Sequence, residues 1–285
     1  MTAWRSGLWS LTALAALACP PPALAQAPLP IFDAHLHYSR AAWADYAPAD
    51  VAAALERAGV ARALVSSTPD DGTLKLYAAD AARFVPVLRP YRDEVGAGNW
   101  TTDAATPAYL AQRLERGIYV GIGEFHLFDA RTVDTEVVRA TLALALKHDA
   151  LLHVHADAAP IETLFQLEPR LRILWAHAGF TSPPAEVGRM LDTYDRLWTE
   201  LSFRAAVVAP GGRLDPAWRQ LLLRHADRFM IGSDTYITER LGQYETLIGE
   251  HRRWLDQLPR ETAVAIAFGN ATALFGDGRR PELVR

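Results

Sequence analysis

Histidines are concentrated where a parallel sheet would place its reactive side chains. Six of the nine lie at or near the carboxyl ends of predicted strands: His35, His37, His126, His153, His155 and His177. One residue separates His35 from His37, and side chains at i and i+2 of a strand point to the same face. Two neutral imidazoles at this spacing can hold one divalent cation. The pair alone leaves open a second interpretation, namely two buried histidines that are satisfied by hydrogen bonds and bind no metal.

Further nitrogen and oxygen ligands occur at other strand ends. In all, five predicted strands end in such residues: His35 and His37 on the first, Glu124 on the fourth, His155 on the fifth, His177 on the sixth and Asp234 on the eighth. A single polar residue at a strand end has many explanations, but five together predict a shared metal site. The one cysteine, Cys19, lies in the predicted leader at residues 1–25, so the barrel itself has no thiolate. Its metal ligands must therefore be His, Asp, Glu or water.

Short β-branched or apolar runs alternate with amphipathic runs rich in Ala, Leu and Arg. The predicted strands are 31–36, 61–67, 84–89, 119–125, 151–156, 172–177, 197–202 and 228–233. The predicted helices are 49–58, 73–82, 106–116, 133–149, 160–167, 184–194, 215–227 and 239–256. Eight strand–helix units favour an α/β fold, a (β/α)8 TIM barrel with an extra C-terminal helix at about 261–275. An open doubly wound sheet ranks second, because residues 33–37 read DAHLH and not a Gly-rich phosphate-binding turn.

The order of these motifs resembles the amidohydrolase superfamily, and within it the amidohydrolase-2 branch. The resemblance runs from residue 31 to residue 276 through these segments: DAHLH at 33–37, GIGE at 121–124, LHVH at 152–155, WAHAG at 175–179, GSD at 232–234 and GNA at 269–271. It implies that four residues are metal ligands: His35, His37, His155 and Asp234. His177 matches a histidine that in relatives is a second-metal ligand or a catalytic group. The GNA match implies that the last helix packs under the barrel.

The fourth strand departs from part of the superfamily. Some members bridge two metals with a carboxylated lysine there, whereas Lys75 and Lys147, the only lysines of this chain, fall in predicted helices. Glu124 looks like the bridging glutamate of the TatD branch, which permits one or two ions. Its alternative role is to hold a histidine or an arginine. His153 lies about 6–7 Å deeper than His155 on the fifth strand, and we expect it to support the ligands from behind.

Two arginines are candidates for binding an anionic group of the substrate. Arg89 ends the third predicted strand and Arg204 follows the seventh, and a guanidinium binds carboxylate or phosphate. Arg204 has an alternative partner inside the protein, either Glu200 or Asp234. Aromatic residues in the rim loops are candidates to shape the mouth of the barrel: Trp43, Trp100 and Tyr236.

The expected activity is that of a metal-dependent hydrolase with a small-molecule substrate. A divalent ion, Zn first and Mn, Fe or Ni as alternatives, lowers the pKa of bound water to about 7, and the resulting hydroxide attacks a carbonyl centre (ester, lactone or amide) or a phosphoryl centre. Asp234 is both ligand and proton acceptor, and His177 stabilises developing negative charge where it is not a ligand.

Two alternative functions follow from the same residues. One is a metal-dependent decarboxylase (a carbon–carbon lyase) of the amidohydrolase-2 branch. We rank it second because several such enzymes carry Glu at the first position of the HxH pair, which is His35 here. The other is a barrel that binds a ligand without turnover. A missing metal ligand would be its sign, and none is missing here.

The composition limits the class of protein and its partners. The chain has 285 residues, of which 50% are hydrophobic and 22% charged, and its formal net charge is −4. It can therefore bury a core of barrel size. No basic run stands out, so nucleic acid is not an expected partner. The number of subunits is left open, a homo-oligomer included.

Residues 1–25 are predicted to be a secretory signal peptide. Arg5 gives the positive start, residues 8–18 are an uncharged apolar stretch, and residues 23–25 (ALA) suit cleavage. This stretch is too short to cross a bilayer, which takes about 20 residues. Cleavage leaves a lead-in at 26–30 and a barrel domain at 31–285, without a membrane-spanning segment, in the periplasm or the medium. Lipid attachment at Cys19 is the minor alternative.

Overall fold

Eight strands run in the same direction around a barrel. The structure, a computed structural model, describes residue 1 and residues 28–276. The strands are β1 (Ile31–Leu36), β2 (Val60–Val65), β3 (Phe84–Leu88), β4 (Gly121–Leu127), β5 (Leu151–Ala156), β6 (Ile173–Trp175), β7 (Leu197–Glu200) and β8 (Phe229–Met230). Each strand pairs in parallel with the next. Apart from Met1, the predicted signal peptide at 1–25 lies outside the described residues, and so does Cys19.

The first and last strands meet and close the barrel. The amide of Ala34 donates to the carbonyl of Ile231 at 2.7 Å, and Asp33 forms an isolated parallel bridge with Ile231. The predicted (β/α)8 TIM barrel is therefore confirmed, and the open doubly wound alternative is wrong. Because all strands are parallel, their carboxyl ends lie on one rim, where the predicted ligands lie.

Helices surround the barrel and close its lower end. They are α1 (Pro48–Arg57), α2 (Asp71–Ala79), α3 (Thr106–Leu114), α4 (Glu136–Lys147), α5 (Ala158–Leu167), α6 (Pro184–Thr193), α7 (Ala205–Val208), α8 (Pro216–Arg224), α9 (Thr238–Gly242), α10 (Tyr244–Leu255), α11 (Arg260–Val264) and α12 (Asn270–Phe275). Asp215 begins α8 as predicted, since its carboxylate accepts from the amides of Ala217 and Trp218. Within residues 28–276, no helix has the length and apolarity needed to span a bilayer.

The extra C-terminal helix closes the barrel from below. It consists of α11, a π-helical segment (Ala265–Gly269) and α12. Phe268 and Phe275 lie against Phe32 inside the barrel, with ring centroids 6.3 and 5.9 Å away. The side-chain amide of Asn270 donates to the carbonyls of Ala226 and Phe229 at 2.7 and 2.8 Å. The GNA segment therefore has a structural role in anchoring the helix to β8.

Three boundaries differ from the prediction at positions that bear on the site. β4 extends to Leu127, so His126 belongs to the strand. β6 ends at Trp175, and His177 lies in a 3-10 turn that follows. β8 ends at Met230, which places Asp234 in the loop beyond it. At His177 and Asp234 the backbone adopts the left-handed region, with φ of 58° and 47°, which does not continue a strand.

Candidate metal centre

The first group of ligands joins β1 to the loop after β8. The Nε2 atoms of His35 and His37 are 3.0 Å apart. Asp234 Oδ1 lies 3.6 Å from His35 Nε2 and 3.2 Å from His37 Nε2. From the side of β4, Glu124 Oε2 lies 3.4 and 3.2 Å from the same two nitrogens. All four side chains are buried, so two imidazoles and two carboxylates converge on one point.

The other nitrogens of the two imidazoles are occupied. His35 Nδ1 lies 2.9 Å from Glu200 Oε1, and His37 Nδ1 contacts the carbonyl oxygen of Ser66. Carboxylate and carbonyl oxygens accept hydrogen bonds, so both Nδ1 atoms carry the proton. In the neutral imidazoles both Nε2 atoms are then lone-pair acceptors. Two acceptors facing each other at 3.0 Å need a cation between them.

A second group of ligands lies on the other oxygen of Glu124. Glu124 Oε1 is 3.0 Å from His155 Nδ1 and 3.5 Å from His177 Nε2. The two histidines lie 3.2 Å apart at these atoms. His177 Nδ1 lies 2.8 Å from the hydroxyl oxygen of Ser202 and 3.2 Å from its carbonyl oxygen. The Ser202 hydroxyl donates to Glu200 Oε1 at 3.1 Å, so His177 Nδ1 is the donor to Ser202. The lone pair of His177 Nε2 therefore points at the group, as that of a ligand does.

The spacing of both groups fits divalent ions. Ligand atoms about 2.1 Å from a tetrahedral ion lie about 3.4 Å from one another. The separations in the first group run from 3.0 to 3.6 Å, and those in the second from 3.0 to 3.5 Å. Imidazole and carboxylate are the donors that zinc and similar ions accept. The described residues therefore fit a metal centre, with Glu124 shared between its two halves.

The electrostatics of the centre favour a cation. Burial alone would lower the pKa of His35, but the carboxylates of Asp234, Glu124 and Glu200 raise that pKa well above its ordinary value. Burial would raise the pKa of Asp234, yet His35 and His37 lower it to about 2. The carboxylates thus stay ionised and demand positive charge. A proton on His35 Nε2 or a metal ion can supply it, and the two compete for the same lone pair.

Glu200 organises both groups, a role that the sequence had not indicated. Its Oε1 accepts from His35 Nδ1 at 2.9 Å and from the backbone amide of His177 at 2.8 Å. Its Oε2 accepts from the amide of Ser202 at 2.6 Å. Gly232 makes room for it, because a Cβ there would lie 2.2 Å from Glu200 Oε2. The sequence suggests Glu200 only as a partner of Arg204. Its position on the barrel-facing side of β7, level with the histidines, was the available signal.

Asp33 clamps β1 to the loop after β8. Its Oδ1 accepts from the amides of His35 and Ser233 at 3.0 and 2.9 Å. Its Oδ2 accepts from the hydroxyls of Ser233 and Tyr244 at 2.6 and 2.8 Å. Burial raises the pKa of Asp33 to about 6 despite these hydrogen bonds. The contacts fix the backbone on both sides of the first ligand group, although Asp33 itself does not reach the ligand atoms.

The backbone at two ligands is strained. His177 and Asp234 have φ of 58° and 47°, in the left-handed region that non-glycine residues rarely adopt. Each such residue costs on the order of 1–3 kcal/mol and persists only where the surroundings impose it. Hydrogen bonds do so here: the amide of Asp234 donates to the carbonyl of His35 at 2.6 Å, and Arg240 donates to the carbonyl of Asp234 at 2.6 Å.

The histidines predicted on β5 have separate positions. His155 lies with Glu124 Oε1 and His177 and is not part of the His35, His37 and Asp234 group. His153 is buried below, with its ring edge-on to that of His35 at 4.5 Å. Burial lowers the pKa of His153 well below its ordinary value. Its packing against His35 is consistent with a supporting role.

Both candidate arginines have partners within the protein. Arg89 donates to the backbone carbonyl and to Oε2 of Glu124, each at 2.9 Å, so it holds the shared carboxylate. Arg204 is 3% exposed, donates to the carbonyl of Ser182 at 2.7 Å and lies over the ring of Trp218. Within the described residues Arg204 makes no ion pair with its alternative partners, Glu200 and Asp234. A contact of either arginine with substrate stays a prediction.

Exposed aromatic side chains border one side of the mouth. Phe128, Phe180, Phe203 and Tyr236 are 69%, 48%, 38% and 54% exposed, and they follow β4, β6, β7 and β8. Phe180 and Phe203 lie 5.5 and 5.8 Å from the ring of His177. Tyr236 was predicted here, whereas Trp100 is buried against Phe125. Single exposed apolar residues are common, but several around one cleft favour a ligand with an apolar part.

Solved structures with this fold are distant in sequence. A probable 2-pyrone-4,6-dicarboxylic acid hydrolase from Acinetobacter baumannii, with citric acid bound, is 16% identical with a TM-score of 0.60, over 87% of this chain and 100% of that chain. A TatD homologue from Escherichia coli is 17% identical with a TM-score of 0.60, over 86% and 97%. The 5-carboxyvanillate decarboxylase of Novosphingobium aromaticivorans, complexed with manganese, is 13% identical with a TM-score of 0.53, over 87% and 96%. At these identities they show the shared fold alone.

Sequence comparison identifies the family. No curated protein sequence matches the chain. The sequence profile of a family described as amidohydrolase matches residues 32–276, which is nearly all of the barrel. This range includes every ligand of the two groups, and the resemblance inferred from the motifs is confirmed. The chain belongs to the amidohydrolase family.

Proposed function

We propose that the protein is a metal-dependent hydrolase that acts on a carbonyl or phosphoryl centre of a small molecule. Two divalent ions fit its residues. Three of them, His35, His37 and Asp234, would hold one ion, His155 and His177 would hold the other, and Glu124 would contact both. When bound, such ions polarise the substrate oxygen and lower the pKa of bound water to about 7. Zn is our first choice of metal.

The observation that carries this proposal is the facing pair of imidazoles. Both Nδ1 atoms of His35 and His37 are committed to acceptors, and the Nε2 atoms lie 3.0 Å apart. A proton on His35 Nε2 would join this one pair of nitrogens, but it would not serve the carboxylates of Asp234 and Glu124, which also face both Nε2 atoms at 3.2 to 3.6 Å. A divalent ion contacts all four groups. A pair of satisfied histidines without metal is thus disfavoured.

Asp234 is the proposed general base. Its Oδ1 is buried and has no hydrogen-bond partner among the described residues, and its other oxygen, Oδ2, lies 3.8 Å from His177 Nε2. A carboxylate that holds an ion through Oδ1 keeps Oδ2 to accept a proton. In hydrolysis of an ester or amide, the water oxygen forms a bond to the carbonyl carbon, and the bond from that carbon to the leaving oxygen or nitrogen breaks. Asp234 accepts the proton of the water and passes it to the leaving atom. The partners of His177 favour its role as a ligand over that of a donor to substrate.

A substrate panel tests the reaction class. Metal-loaded protein is given simple esters, lactones, amides, phosphate esters and aromatic carboxylic acids, and both hydrolysis products and CO2 are measured. We expect hydrolysis of at least one member, its loss after chelation and its return when metal is added. Release of CO2 without hydrolysis would favour the decarboxylase alternative. Binding without any turnover would favour a non-catalytic barrel.

We also propose that the protein is exported with cleavage after Ala25, which rests on the signal-like sequence of residues 1–25. N-terminal sequencing of protein produced in a bacterium with a secretory pathway should begin at Gln26. A start at Met1 in the cytoplasmic fraction would contradict export. A lipid-modified Cys19 at the N-terminus would favour the anchored alternative.

A further inference from the structure

A histidine outside both ligand groups borders the centre. His126 is two residues after Glu124 on β4, and its ring stacks on that of His155, with centroids 4.2 Å apart and 22° between the planes. One of its ring nitrogens lies within 4.8 Å of a carboxylate oxygen of Glu124 and of a ring nitrogen of His155. His126 therefore lies beside the space that a substrate must enter to reach the centre.

Tyr91 determines which nitrogen of His126 carries the proton. The hydroxyl oxygen of Tyr91 accepts from the backbone amide of His126 at 2.8 Å, and it lies 2.9 Å from His126 Nδ1. Tyr91 is 4% exposed, and within residues 28–276 no other acceptor for its hydroxyl proton is found. A buried hydroxyl without an acceptor is costly, so Tyr91 donates to Nδ1. The ring proton of His126 is then on Nε2.

The donor and acceptor nitrogens of His126 are reversed relative to those of three proposed ligands. His35, His37 and His177 have the proton on Nδ1 and present a bare Nε2 to the centre. His126 presents an N–H instead. Its side chain is only half-buried, and its Nε2 is neither enclosed nor hydrogen-bonded to a described residue. A donor without a protein partner at the mouth of a site suits an acceptor on the ligand.

We propose that His126 donates a hydrogen bond from Nε2–H to an oxygen atom of the substrate, and that Tyr91 is a positioning residue that holds His126 in the required tautomer. The substrate class is a small molecule with a second carboxylate or carbonyl oxygen close to the group that reacts. The inference rests on the proposed metal-dependent reaction, because the reacting group defines where the second oxygen lies.

A matched pair of anions tests the inference without turnover. Acetate carries one carboxylate, and malonate carries a second one close to the first. Each is titrated calorimetrically into the metal-loaded protein, and the ratio of the two dissociation constants is recorded. We expect malonate to bind more tightly to the parent. His126→Phe keeps a stacking ring but removes the donor, and it should reduce the malonate advantage by about tenfold. His126→Gln keeps an N–H donor near the Nε2 position and should preserve most of the advantage.

Tyr91 is tested by a double-mutant cycle. Tyr91→Phe removes the hydroxyl and frees the tautomer, so it should weaken malonate binding severalfold in the parent. In the His126→Phe background the same change should have no effect on malonate, because Tyr91 acts through Nδ1 of His126. A merely structural role of Tyr91 would give equal losses in both backgrounds, since its bond to the backbone amide of residue 126 exists in both. His148→Phe, at the end of α4, is the control histidine.

The outcomes separate this inference from the proposed function. Metal content is measured in every variant. If the parent holds metal but binds malonate no better than acetate, or if His126→Phe keeps the advantage, the role of His126 is wrong while the metal centre stands. A loss of metal in His126→Phe would make His126 a ligand and also overturn the inference. A parent that binds no metal would instead contradict the proposed function.

Discussion

The partners of the Nδ1 atoms decide what each histidine at the rim can do. Where Nδ1 donates to an oxygen of the protein, as in His35 and His37, the lone pair of Nε2 is available to a metal. Where Nδ1 accepts, as in His126, the other nitrogen is a donor. Residue type alone does not distinguish these cases. The sequence predicted the histidines near the site, but only the contacts assign their chemistry.

At the residue scale, Glu200→Gln should weaken metal binding. The substitution keeps the size of the side chain but removes the charge that polarises His35, and the 2.9 Å contact loses its ionic character. Changes of such supporting residues typically cost 10–100-fold in metal affinity or activity. Titration of the metal-free protein with Zn²⁺ in a competing chelator measures the affinity. The exposed Glu115→Gln is the matched control, and equal affinities of the two variants would show that Glu200 does not act on the ligands.

Asp234→Asn should abolish most activity and leave the fold intact. Asn has nearly the same size and keeps one ligand oxygen, but it cannot accept and relay a proton. Loss of a general base typically costs 10²–10⁴-fold, roughly 3–5 kcal/mol of barrier. Turnover of the substrate found in the panel and metal content are measured on the same sample. A variant that retains its metal and reacts within about threefold of the parent would show that Asp234 is not the base.

The candidate ligands on β1, β4 and β5 and in the loop after β8 were predictable from the sequence, since the HxH pairs, a Glu near the end of a strand and a Gly-Ser-Asp turn each have a distinct spacing. Glu200 was not predictable as their organiser. A glutamate on β7 has many potential partners, and its pairing with His35, 165 residues away along the chain, exists only once the barrel closes. The same holds for Asp33 and Tyr244, whose contact joins residues 211 positions apart.

At the element scale, the turn after β8 depends on a glycine. A Cβ at Gly232 would lie 2.2 Å from Glu200 Oε2 and 3.0 Å from the Cβ of His35. Gly232→Ala should therefore lower the free energy of unfolding by about 1–3 kcal/mol and reduce metal occupancy. Gly249, within α10, has no atom within 4 Å of such a Cβ, and Gly249→Ala should stabilise by about 0.5–1 kcal/mol. Urea denaturation and elemental analysis measure both. Equal effects of the two substitutions would contradict the close packing of β8 on Glu200.

The contact between α10 and the end of β8 predicts a pH dependence of stability. His251 is buried, donates from Nε2 to the carbonyl of Gly232 and accepts at Nδ1 from Trp254. Burial lowers its pKa from 6.5 to about 4. Between these values the unfolded chain binds the proton and the folded chain does not, so the free energy of unfolding falls as the pH decreases from 6.5 to 4, by roughly 3 kcal/mol. His251→Gln keeps a donor but does not titrate.

This dependence is measured by urea denaturation of the metal-free protein at several pH values. The loss of stability between pH 6.5 and 4 should be smaller in His251→Gln than in the parent, since other groups contribute equally to both. If the free energy of unfolding fell equally with pH in both proteins, His251 would have the same pKa in the folded and unfolded states. At pH above 6.5 the two proteins should show no pH-dependent difference, because His251 is neutral in both states there.

Element positions followed from the sequence more readily than element ends. Along the chain, the spacing of apolar residues alternates between the period of a strand and the period of a helix. This alternation locates each of the eight strands and its helix. The ends of the elements depend on tertiary contacts. β6 stops at Trp175 because the backbone amide of His177 turns toward Glu200. The predicted helix at 239–256 is divided into α9 and α10. β4 continues to Leu127 through its pairing with β5, which brings His126 to the mouth.

For the whole molecule, the fold class was predictable because a closed parallel barrel is the ordinary outcome of eight such units. The centre spans strands from both halves of the chain, and its carboxylates and imidazoles need positive charge between them. We propose that divalent metal supplies this charge, with two ions for each chain. Elemental analysis measures the metal content of protein purified without chelator, before and after dialysis against chelator. We predict about two equivalents of zinc or a similar ion before dialysis and a loss of activity in proportion to the metal removed. A protein that holds no divalent ion and stays fully active in chelator would show that metal does not supply the charge.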